Sequence, residues 1–92
     1  MAKSLLQSEK ECYITGSCSN LHKHHIFGGP NRKNSEKYGL WVYLRADWHN
    51  MSDYAVHFDK QLDLELKQTA QKVFEEEQGH DKFMAIFHRN YL

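Results

Sequence analysis

A mixed α+β fold is predicted, in which a β-hairpin with a long basic loop runs into a helix and two further helices follow toward the C-terminus. Three observations predict it. A candidate strand at about Lys23 to Phe27 and a run dense in β-forming residues, Leu40 to Leu44, flank a polar, basic stretch headed by Gly28-Gly29-Pro30. Arg45-Ala46-Asp47 then opens a helical stretch, with Asp47 as N-cap or first-turn acid, through His49 to Met51 or beyond. Beyond Asp59, a second N-cap, Leu62, Leu66, Ala70, Val73 and Phe74 recur at helical spacing and form a core stripe.

The remaining elements follow in order. Residues 1 to 8 have no periodic pattern and read as a loosely docked terminus. Glu11 to Thr15 has the composition of a short strand, closed by turn residues from Gly16 to Asn20. The first hairpin strand cannot extend its ladder past Gly28-Gly29-Pro30. Asn31 to Lys37 offers nothing apolar to bury and reads as an exposed loop. The C-terminal helices span about 59–77 and 80–88, the latter burying Phe83, Met84, Ile86 and Phe87.

With 92 residues, 40% hydrophobic and 26% charged, the chain is expected to form one small soluble domain, 1–92, with a thin core. No apolar run approaches the ~20 residues that span a bilayer, and the N-terminus lacks a signal-peptide core, so the cytoplasm is the expected compartment and no membrane partner is expected. Cys12 and Cys18 are then expected to be reduced thiols rather than a disulfide framework.

Lys+Arg and Asp+Glu both number 12, yet the charge is segregated. From His22 to Arg45 the bases Lys23, Arg32, Lys33, Lys37 and Arg45 face one acid, Glu36, so this half is suited to phosphate. From Ala46 to Asp81, nine acids face three bases.

The chemistry concentrates in Leu21-His22-Lys23-His24-His25-Ile26-Phe27, where three of the seven histidines fall within four positions. Histidine is neutral near pH 7 and can take a proton or ligate a metal. On a strand, His22 and His24 share one face, while His25 and Lys23 share the other. Adjacent histidines would then do different work. His80 and His88 read as helix-end residues, the latter with Arg89 complementing a helix dipole.

His24-His25-Ile26 followed by Leu40-Trp41-Val42-Tyr43-Leu44-Arg45-Ala46-Asp47-Trp48-His49-Asn50 resembles the HNH endonucleases, the ββα-metal or His-Me finger group, in particular its small phage-type members. The resemblance covers about residues 12 to 58. It implies a ββα-metal core and a DNA phosphodiester hydrolase working with one divalent ion (Mg, Mn, Ni or Zn), with His25 as general base and His24 and His49 as metal ligands. It also implies DNA as partner, a homodimer or a phage or host DNA-processing protein as a further partner, and a bacterial host cytoplasm if the chain is phage-encoded. The second ring nitrogen of His25 is expected to be held by a backbone carbonyl.

The sequence departs from the family pattern twice. Where many members carry two Cys-x-x-Cys knuckles, Cys12, Thr15, Arg45 and Trp48 stand, so no structural zinc is expected, with Trp48 and Tyr13 packing in its place. The family's middle asparagine is also missing, its place falling near Gly39 or Leu40. Candidates for the third ligand are His57, Asp53, His22 and Asn34. His57 is favoured, at i+8 from His49 on a continuous helix. The backbone contacts to DNA are expected from Lys23, Arg32, Lys33, Lys37 and Arg45.

Overall fold

The structure is a computed structural model in which residues 3–92 are described. It is mixed α+β: β1 (Leu21–His25), a 3-10 turn (Gly29–Asn31), α1 (Arg32–Tyr38), β2 (Trp41–Arg45), α2 (Ala46–His49), α3 (Lys60–Gln78) and α4 (His80–Phe87). β1 and β2 pair antiparallel, with His22 opposite Leu44, His24 opposite Val42 and His25 opposite Trp41. One face of this two-stranded sheet carries Val42 and Leu44, both fully buried, together with His22 and His24. The other carries Lys23, His25, Trp41 and Tyr43.

The hairpin connection is a helix rather than an exposed loop. The expectation failed because it counted apolar residues only. Ser35 is fully buried, and its hydroxyl donates to the Phe27 carbonyl at 2.8 Å while accepting from the Phe27 amide at 3.0 Å, which anchors α1 to the end of β1. The helix stops at Gly39, in the left-handed region at φ 72°, and a Cβ there would lie 2.2 Å from the Lys3 carbonyl oxygen, so only glycine fits.

Residues 11 to 15 form turns, not a strand. The chain closes on itself at Gly16, whose amide donates to the Cys12 carbonyl at 2.8 Å, and Cys12 is buried in the core. The N-terminal segment is tied down from Lys3 onward, contrary to the loose terminus expected; residues 1 and 2 lie outside the described residues. Its partners are the groups on the outer edge of β2. Ser4 donates to the Trp41 carbonyl at 2.6 Å, the Tyr43 amide donates to Gln7 at 2.6 Å, and the Tyr13 amide donates to the Tyr43 carbonyl at 2.8 Å. An edge strand exposes unpaired backbone groups, and this segment covers them.

α3 begins where Asp59 predicts, its carboxylate accepting from the Gln61 and Leu62 amides at 3.0 and 3.1 Å. Leu66, Ala70 and Phe74 from its expected stripe are buried, whereas Val73 and Leu62 are half-buried. Gln71 is also fully buried. Its amide donates to Asn90 at 2.7 Å and Glu75 at 2.8 Å and accepts from the Tyr91 amide at 2.8 Å, which fastens the C-terminus to α3. α4 adds Phe83 and Phe87 to an aromatic core with Phe27 and Phe74, at ring separations from 4.6 to 6.0 Å. Met84 and Ile86 are half-buried. No helix among the described residues is long and apolar enough to cross a membrane.

Candidate metal centre

His24 is the buried end of the cluster, 4% exposed on the core face of β1. His49 is the last residue of α2, which starts directly from β2 and so turns the chain back over the β1 histidines. Asp47 is a first-turn acid of this short helix, with Arg45 rather than Asp47 at the N-cap. Its carboxylate accepts from Arg45 at 2.6 and 2.9 Å and from the Tyr54 hydroxyl at 2.6 Å, contacts that hold its pKa well below the usual carboxylate range.

The helix does not continue to His57. It ends at His49, and residues 50 to 59 return as turns whose anchors are the buried Ala55 and Val56. The Val56 amide donates to the Trp48 carbonyl at 2.7 Å and the His57 amide to the His49 carbonyl at 3.4 Å. His57 therefore reaches His49 through a folded-back backbone, not through helical periodicity.

The outcome is a triad. One ligand atom from each of His24, His49 and His57 lies within 4.8 Å of the others, close enough to hold a metal ion. The rings stand 5.3 Å apart for His24 with His49, 5.3 Å for His24 with His57 and 4.6 Å for His49 with His57, and the Nε2 atoms of the last pair are 3.0 Å apart. The cluster grades from buried His24 through half-buried His49 to exposed His57, so one side is open to solvent.

Its electrostatics favour neutral rings. Burial first, then the neighbouring imidazoles of His49, His57 and His25, push His24 down to about 3. Burial, then His57, His22 and His25, push His49 down to about 4. Both rings keep a lone pair at neutral pH, the form that ligates metals. His24 Nε2 is buried without a hydrogen-bond partner. An orphaned polar atom of this kind costs about 1–3 kcal/mol, and a cation held by that nitrogen would supply its missing partner. The donor set thus fits a divalent ion.

His25 lies on the opposite face of β1, with its side chain 11% exposed. Arg32 Nε donates to its Nδ1 at 3.4 Å, and Glu36 Oε1 lies 3.7 Å from its Nε2. A carboxylate therefore stands where a backbone carbonyl was expected, because α1 replaces the loop and turns Glu36 toward β1. Burial, then the Arg32 charge, lower the His25 pKa against a smaller opposing effect of Glu36. Glu36 was missed by the sequence reading, as was Ser35. The signal was available in Pro30 ahead of, and Gly39 behind, a run of helix-compatible polar residues.

The basic residues divide into two groups. Arg32, Lys33 and Lys37 are exposed on α1. Lys23 is engaged by Glu36 at 2.8 Å and lies 4.1 Å above the Trp41 ring, and Arg45 is engaged by Asp47. Of the other third-ligand candidates, Asp53 is exposed outside the triad, and Asn34 donates to Asn31 at 3.3 Å. His22 approaches the triad, its Nδ1 lying 3.0 Å from His49 Nδ1. Cys12 is buried and Cys18 exposed, both as free thiols, and Tyr13 is exposed while Trp48 packs against Tyr54 at 4.7 Å. His80 opens α4 and contacts Glu75 at 2.7 Å, and His88 caps the C-terminus of α4.

Comparison with protein-family models, with curated proteins and with solved structures finds no match.

Proposed function

We propose that this chain is a metal-dependent endonuclease of the HNH, ββα-metal type that hydrolyses DNA phosphodiester bonds. The observation that carries the reading is the convergence of His24, His49 and His57 within 4.8 Å, with His25 next in sequence to the buried member. His24, His49 and His57 would hold the ion. Three imidazoles with no carboxylate form a nitrogen donor set, which suits Ni²⁺ or Zn²⁺ better than the oxygen-seeking Mg²⁺ or Mn²⁺. A divalent ion held there would polarise a phosphoryl oxygen and stabilise the leaving oxygen, worth several kcal/mol.

His25 is the base in this reading. Because arginine is only a donor, the Arg32 contact assigns the lone pair of the neutral ring to Nδ1 and the proton to Nε2, facing Glu36. Arg32 covers that lone pair in the resting protein. A phosphate that draws the guanidinium into a bidentate pair would uncover it. Water then forms a bond to phosphorus as its proton passes to His25 Nδ1, and the phosphorus bond to the leaving sugar oxygen breaks. Lys33 and Lys37 extend the phosphate-facing surface along α1.

The test is nicking of supercoiled plasmid by the purified protein with Mn²⁺, Ni²⁺, Zn²⁺ or Mg²⁺. Cleavage is expected with at least one transition ion and should fall about 10²–10⁴-fold in His25→Ala. Equal cleavage by His25→Ala, or none by wild type with any ion, overturns the reading. A second reading, a non-catalytic DNA- or protein-binding module on the same scaffold, is favoured by the engagement of Lys23 and Arg45 with acids. It predicts metal binding without cleavage.

A further inference from the structure

His22 is the one member of the histidine cluster that the metal centre leaves without a task. It shares the core face of β1 with His24, opposite Leu44, and its ring meets that of His49 edge-on, with centroids 5.1 Å apart and an interplanar angle of 86°. The two Nδ1 atoms are 3.0 Å apart, a hydrogen-bond distance. His49 is thus contacted on both nitrogens, with Nε2 turned to His57 in the triad and Nδ1 turned to His22.

The two nitrogens of a neutral imidazole are not equivalent. One carries the proton and the other the lone pair, and the partner of the first decides which is which. For Nε2 of His49 to ligate, Nδ1 must carry the proton, and that proton needs an acceptor. Metal-bound histidines meet this need with a carboxylate, a carbonyl or water, and loss of the partner typically weakens binding 10–100-fold. The group at hydrogen-bond distance from His49 Nδ1 is another imidazole.

Resting on the metal-centre reading, we infer that His22 is a positioning residue: its Nδ1 accepts from Nδ1–H of His49, locking His49 in the tautomer that presents Nε2 to the ion. His22 itself is then protonated on Nε2 and is not a ligand. A neutral acceptor has a further consequence. Three imidazole ligands and an imidazole behind them add no negative charge, so the occupied site would keep a net dipositive charge toward an incoming anion such as a phosphodiester.

The test uses the full chain in two measurements. Long-range ¹H–¹⁵N spectra of the metal-free wild type read the tautomer directly, and His49 should be the Nδ1–H form. Zn²⁺ affinity by competition titration is then compared among wild type, His22→Phe and His22→Asn, with folding checked by thermal melts. Phenylalanine keeps the ring volume without an acceptor and should weaken Zn²⁺ binding about 10–100-fold. Asparagine places its side-chain oxygen near the Nδ1 position and should recover most of that loss. An Nε2–H tautomer at His49, wild-type affinity in His22→Phe, or no recovery in His22→Asn each overturns the inference while leaving the metal centre intact. So do spectra of the Zn²⁺-bound protein in which a His22 nitrogen is itself coordinated. A wild type that binds none of Zn²⁺, Ni²⁺ and Mn²⁺ overturns the centre, and the inference with it.

Discussion

His24 buries an imidazole whose Nε2 has no protein partner, so His24→Leu separates what the ring does for function from what it does for the fold. In the metal-free protein, the substitution removes a buried unsatisfied atom that costs about 1–3 kcal/mol. Leucine refills most of the volume, with a repacking cost of up to about 1.5 kcal/mol. At pH 7.5, above the ordinary histidine value of 6.5, proton linkage contributes little. The metal-free variant is therefore expected to be about 1 kcal/mol more stable than wild type, a rise in Tm of roughly 4–8 °C for a domain of this size. Zn²⁺ at a hundred times its Kd should stabilise wild type by about 2.7 kcal/mol and leave the variant unmoved. Urea and thermal denaturation, each with chelator and with Zn²⁺, measure both effects. A metal-free variant destabilised by about 2 kcal/mol or more, or a Zn²⁺ response equal to that of wild type, refutes the reasoning that His24 is an orphaned ligand.

Two further predictions concern the frame around the site. Ser35→Ala strips both backbone partners from buried Phe27 and should cost about 2–4 kcal/mol in urea denaturation, with a loss under about 1 kcal/mol refuting the anchoring of α1. Metal-free wild type should lose stability as pH falls from about 6.5 toward 4, because His24 and His49 protonate in the unfolded chain while their lowered values keep them neutral in the fold. The unfolded state binds more protons in this window, so stability rises with pH. The slope is about 1.4 kcal/mol per pH unit for His24, with a smaller, solvent-screened share from the more open His49. His24→Leu should flatten it, and an equal slope in variant and wild type would remove His24 as its source.

Much of the arrangement was legible locally. A strand alternates its side chains, so the sequence alone put His22 and His24 on one face and His25 with Lys23 on the other, as the register of β1 against β2 has them. The Asp59 cap and the spacing of Leu66, Ala70 and Phe74 located α3, because capping and helical period are properties of neighbouring residues. α1 was missed for the opposite reason. Its anchor is the pairing of Ser35 with Phe27, a polar contact invisible to a count of apolar residues.

The histidine triad shows the division most clearly. His24, His49 and His57 were each nameable from the sequence, but the helical geometry expected to join the last two does not exist. They meet because residues 50 to 59 fold back, with the Val56 amide on the Trp48 carbonyl and Ala55 and Val56 buried beneath. The same holds for the N-terminal segment on the open edge of β2, and for His22 against His49, 27 residues apart. Residue type and short-range period are written in the chain. Which distant backbone groups and which ring nitrogens face one another depends on how the elements pack in three dimensions, which no local pattern encodes.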